Sequence, residues 1–183
     1  MRRILLAAAA VLALGACGQM GSGPPLPPPQ DGVTAPTKLE PPEGQVKTAN
    51  VTNEFRQQVT AYLGQQLDQI QSNYAQGMAA PEGFADEIAP MQASSDHRWR
   101  VRLLGGRQYA VLGACDDDCT NVDIELVDSR GGVVQSDVLP DDYPVVIYQP
   151  AADGDYYVRL MMRACTTQPC FAGARVVVAP AGG

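Results

Sequence analysis

The sequence predicts a mainly β protein: an antiparallel β-sandwich of about seven strands, jelly-roll-like, preceded by one amphipathic α-helix and a disordered proline-rich linker. Three observations carry this expectation. From His97 onward, apolar residues recur at every second position in short runs, the period of a half-buried strand. Glycine, proline and aspartate clusters separate those runs with no helical period between them, which favours antiparallel sheets over βαβ units. Only one earlier stretch, Val51 to Tyr74, has the three- and four-residue spacing of a helix.

The chain begins with Arg2 and Arg3, then an apolar run from Ile4 to Leu14. A charged start followed by a run of roughly eleven apolar residues is the anatomy of a secretory signal peptide, too short to span a bilayer permanently. Leu14-Gly15-Ala16-Cys17 ends the run and resembles the lipobox of bacterial lipoproteins. The same tetrapeptide recurs at Leu112-Gly113-Ala114-Cys115, where no export segment precedes it, so the context carries the signal rather than the four residues. The resemblance implies that residues 1–16 are removed and that Cys17 is lipidated. Gly18 stands where aspartate often marks inner-membrane retention in that family, so the implied location is the outer membrane, lipid-anchored and facing the periplasm. A lipid anchor holds a chain at one face and spans nothing.

Residues 17–49 read as the linker. Eight prolines from Pro24 to Pro42, with glycine and small polar residues between them, leave too little apolar surface to offset the entropy of ordering. As extended polyproline II the stalk would reach on the order of 90 Å. Residues 50–77 form the helical unit. Val51, Phe55, Val59, Tyr62, Leu63, Leu67, Ile70 and Tyr74 make its stripe, Thr52 or Asn53 caps it, and Gly77 follows its end. That stripe packs on the following domain or pairs with a partner helix.

Residues 78–183 form the disulfide-containing β domain. Pro81 to Asp96 reads as irregular. Trp99, Val101 and Leu103 alternate with Arg98, Arg100 and Arg102 in the first strand, and Gln108 to Ala114 makes the second. The remaining strands are 122–127, 133–138, 145–148, 155–164 and 171–178, joined at turns such as Gly131-Gly132 and Asp153-Gly154. Gly106-x-x-Tyr109, Val122-Asp123-Ile124-Glu125-Leu126, Asp128-Ser129-Arg130-Gly131 and Asp153-Gly154-Asp155-Tyr156-Tyr157-Val158-Arg159 occur in order. With these motifs, residues 97–178 resemble the bacterial pre-peptidase C-terminal domain, a β-sandwich appended to many secreted proteases and also found alone. The resemblance implies a fold; no peptidase domain accompanies it in this sequence.

Five cysteines are present, and lipidation of Cys17 leaves an even four. The spacing favours Cys115–Cys119 and Cys165–Cys170, each clipping one loop; cross-pairing between the loops is the alternative. Strands that simply alternate in direction would bring both loops, and residues 140–144, to one end of the sandwich. That end would gather Asp116, Asp117, Asp118, Asp141 and Asp142, oxygen ligands of the kind a calcium ion takes.

The formal charge is −7, and loss of Arg2 and Arg3 with the signal makes the mature chain more negative still. Such a balance argues against nucleic acid as a partner. His97 is the only histidine, no G-x-S-x-G elbow exists, and the glycine pairs lie in hairpins rather than opening helices. The expected function is therefore non-catalytic: an envelope binding or adaptor module for another envelope protein. The alternative is a calcium-dependent structural module; no other cofactor is expected.

Overall fold

The computed structural model describes residues 21–42 and 44–181; the signal peptide, the lipobox and Cys17 lie outside the described residues. The chain is mainly β with one helix. In order it forms β1 (Gly21–Ser22), β2 (Lys47–Thr48), α1 (Asn53–Tyr74), β3 (Glu87–Met91), β4 (Ser95–Leu103) and β5 (Tyr109–Cys115). There follow β6 (Cys119–Asp128), β7 (Val133–Asp137), β8 (Val145–Tyr148), β9 (Gly154–Cys165), β10 (Thr167–Gln168) and β11 (Cys170–Val178). One sheet has the order β1-β4-β9-β6-β7, a second β3-β11-β5-β8, and β10 pairs with β2 in a short ribbon.

The period-two pattern does what it predicts: it sorts side chains into layers. Val101 and Leu103, Val122, Ile124 and Leu126, and Val158, Leu160 and Met162 point from the five-stranded sheet into one core. Tyr109, Val111, Val146 and Val176 meet them from the four-stranded sheet. The alternate positions of β5 and β11, among them Ala110, Leu112, Ala114, Phe171 and Val177, form a second core with α1. This is why β5 is buried along its whole length: each face has its own cover.

Helix α1 starts where Thr52 accepts the amide N–H of Phe55 at 3.2 Å, with Glu54 in its first turn. Val59, Leu63, Leu67 and Ile70 are its buried stripe. Each such side chain contributes about 1.5–3 kcal/mol on full burial. Arg175 of β11 ties down the other half: it donates to Asp68 and Gln71 of the helix and holds Asp86 with two nitrogens, each at 2.7 Å.

Two expectations are corrected. Glu87–Met91, read as irregular, is a strand, which gives eight strands longer than two residues rather than seven. Pro90 masks it in the sequence, but β3 is the edge of its sheet, where a missing N–H is tolerated. The described part of the linker, read as disordered, is docked. Gly21 and Ser22 pair in parallel with Asp96 and His97, and Gln30 N–H reaches the Arg130 carbonyl at 3.0 Å. The carbonyl of Thr34 accepts from Val133 N–H at 2.8 Å, and Leu39 is buried.

The reason lies on the outer face of the five-stranded sheet. Arg159 there is 3% exposed, and its guanidinium bonds Asp96, Glu125 at 2.9 Å and the Thr37 carbonyl at 2.7 Å. The N–H of Thr37 donates back to Glu125 at 3.0 Å. A polyproline-like chain leaves its backbone groups unpaired along its length. The charged face satisfies them, and the strap in turn shields the charges. Local composition predicts disorder because the partners lie 88 and 122 residues away.

Candidate functional site

The two cysteine pairs are disulfides, Cys115–Cys119 and Cys165–Cys170, each with Cα atoms 5.9 Å apart. The β6–β9 pairing sets Cys119 opposite Cys165, so the clips lie side by side. Thr166 donates its N–H and its hydroxyl to the Asp118 carbonyl, at 2.8 and 3.0 Å. The third loop joins them: Val122 N–H donates to the Asp141 carbonyl at 3.0 Å, and Gly113 N–H to that of Pro144 at 2.8 Å. All three loops therefore occupy one end of the molecule.

The five aspartates share that end but not a common point. Asp116 accepts from Phe171 N–H at 2.8 Å, Asp117 from the Tyr62 hydroxyl at 3.1 Å, and Asp118 from the Thr166 hydroxyl at 3.0 Å. Asp141 turns back to Tyr143 N–H at 3.3 Å, and Asp142 lies beside Tyr143 at the far half of α1. Among the described residues, no three acidic, histidine or cysteine side chains converge as a metal would require. The geometry thus departs from the expected calcium site, because each carboxylate is committed to a nearby donor.

What the loops do build, with α1, is a groove. One cavity of about 270 Å³ lies between Phe55, Gln58 and Tyr62 on the helix and Asp116, Asp117 and Asp118 on the clipped loop. A second, of about 210 Å³, is lined by Tyr62, Gln66, Gln69 and Asn73 and closed by Tyr74 and Tyr143. The two share Tyr62, so they follow one flank of the helix. Tyr74 and Tyr143 stack with centroids 6.3 Å apart, and Phe55 meets Phe171 edge-on at 6.0 Å. Burial, with the neighbouring Asp117 carboxylate, raises the Tyr62 phenol. Burial also raises the Asp116 carboxyl, the Phe171 N–H opposing it and the charges of Asp118 and Asp117 adding to it.

Sequence periodicity assigned Phe55, Tyr62 and Tyr74 to the buried stripe, yet they are 44%, 36% and 52% exposed. The signal that could have separated them is the company they keep. At 100° per residue Phe55, Tyr62, Gln66, Gln69 and Asn73 share a face beside the stripe of Val59, Leu63, Leu67 and Ile70.

His97 lies elsewhere, on β4. Its Nδ1 is 2.8 Å from the Ser22 hydroxyl, its Nε2 is 3.5 Å from Glu87, and its ring stacks on Trp99 at 5.7 Å. The order serine, histidine, carboxylate resembles a nucleophile and its base. The serine belongs to the pairing of β1 with β4, and the trio lines neither cavity of the groove, so its evident work is to fasten the strap. No family model matches this sequence, and no curated protein matches it.

Proposed function

We propose that this chain is an outer-membrane lipoprotein, anchored through Cys17 and facing the periplasm, whose body is a non-catalytic adaptor that docks an envelope protein in the groove along α1. The groove carries this reading. It presents exposed aromatic rings and side-chain amides on a surface held by a packed helix and two disulfide-clipped loops. Rigid aromatic anchors beside polar groups are what docking surfaces use, because little side-chain freedom is lost on binding.

The body is read as a jelly-roll sandwich. Its support is the pairing of β3 with β11, β4 with β9, β5 with β8 and β6 with β7, all antiparallel. First pairs with last and second with second-to-last, as when one long hairpin is wrapped into two sheets.

The test is site-specific photo-cross-linking in cells from Gln58 and Gln69, on the full-length protein. The expected result is one protein captured from both positions, lost in Gln66→Arg, and absent when the cross-linker sits at Arg130. Capture of nothing, or equal capture from Arg130, overturns the docking reading. Anchoring is checked separately: Cys17→Ala is expected to abolish labelling by an alkynyl fatty acid and release the body from the membrane fraction.

A further inference from the structure

We infer that the Phe55 end of the groove binds a cationic side chain, the lysine or arginine of a partner's peptide segment; this deepens the docking reading and rests on it. The central observation is an oxygen without a partner. Asp116 is only 8% exposed, and one of its carboxylate oxygens takes the Phe171 N–H. The other, Oδ1, is buried and accepts nothing among the described residues. Leaving a buried carboxylate oxygen unpaired is costly, and a native protein keeps such a group where something completes it.

The cavity that Asp116 lines is built to receive the missing donor. Asp117 and Asp118 flank it, so three carboxylates face one space. Phe55 and Tyr62 form the opposite wall, and aromatic rings attract cations over their faces. No lysine or arginine of the chain lines that space. The neighbouring Arg56 stacks its guanidinium over the Phe171 ring at 5.8 Å instead. An ammonium or guanidinium entering here would find charge-assisted bonds and a π-face together.

The adjoining cavity indicates that the cation comes on a peptide. Gln66, Gln69 and Asn73 each offer a carbonyl and an amide nitrogen, the donor and acceptor pair that an extended main chain presents in mirror. A neutral glycan would use the rings and the amides but leave the Asp116 oxygen unpaired. An anionic ligand would be repelled.

The test is fluorescence anisotropy on the full-length protein in detergent, with labelled oligoarginine and oligolysine peptides as probes. Oligoglutamate, a neutral glycine-serine peptide and a labelled oligosaccharide are the comparisons. Binding of the basic peptides is expected to weaken about tenfold in Asp117→Asn/Asp118→Asn and about threefold in Phe55→Ala. Asp153→Asn/Asp155→Asn removes the same charge at the opposite end and is expected to change nothing. The Asp116 carboxyl carbon should shift in the NMR titration, a readout that needs no substitution at a residue bonded to the backbone.

Equal weakening in the control pair would mean diffuse attraction to an acidic protein and overturns the inference, as does failure of the basic peptides to bind. Preferential binding of the oligosaccharide overturns it too. If the peptides fail while Gln69 still captures its protein, this inference falls alone. If they bind and nothing is captured in cells, the docking reading falls instead.

Discussion

On the four-stranded sheet, α1 lays Val59, Leu63, Leu67 and Ile70 against Ala110, Leu112, Phe171 and Val177. On the five-stranded sheet, residues 21–42 lie over Asp96, Glu125 and Arg159. Both covers remove a sheet face from water, but by different physics. Burial against the helix is non-directional and roughly proportional to area, so each side chain contributes in proportion to its size. The charged face works as a set. Two carboxylates beneath a strap are tolerable only while Arg159 stands between them, because an unpaired charge loses its hydration without compensation.

The comparison can be broken at four points. Arg159→Ala strands Asp96 and Glu125 and is expected to lower stability the most, by about 3–5 kcal/mol in urea unfolding. A loss no larger than that of an exposed arginine would mean that water reaches this face. Leu63→Ala, fully buried in the parent, should cost about 2–4 kcal/mol, with the strand core intact by near-ultraviolet dichroism. Thr37→Pro removes the N–H that Glu125 accepts and should cost about 1–3 kcal/mol. It should also raise amide exchange at Val133, whose N–H is bonded to the strap, while leaving α1 protected.

The smallest effect is expected at Asp123, on the same charged face, where burial raises the carboxyl from 3.8 to about 6 and Arg163, 3.4 Å away, only partly opposes it. The folded state holds this proton more tightly than the unfolded state does, so its contribution to stability is lost as pH rises from about 4 to about 6. Asp123→Asn should flatten the urea midpoint across that window and leave the variant slightly more stable than the parent at neutral pH. The lost attraction to Arg163 offsets part of the gain. An unchanged pH profile would show the group to be solvated.

The helix-covered side was largely legible in the sequence because its information is local. Leu63, Leu67 and Ile70 announce a helix by spacing, and Val101 and Leu103 announce a strand by alternation. The strap side was not. Arg98, Glu125 and Arg159 alternate with apolar residues as solvent-facing positions do, and nothing within a few residues of Thr37 says that it meets a glutamate 88 positions on. β3 was hidden by Pro90, which only the sheet's edge makes acceptable. The groove lay between these cases. The disulfide pairing and the shared loop end follow from spacing and strand alternation, but the exposure of Tyr62 depends on which loops face it.

The docked strap also sets a mechanical scale. Gly21 pairs beside Asp96, at the end of β4 where Met161 and Met162 run on toward Cys165 and the disulfides. With the lipid proposed at Cys17, only four residues separate the membrane surface from that first fixed point, about 14 Å of chain at full stretch. A free stalk would let the body sweep a wide hemisphere; a fastened one makes it a foot planted on the bilayer with its loop end nearest the lipid. Unfastening the strap would lengthen that leash several-fold, so the ion pairs around Arg159 govern how far from the membrane the protein can work.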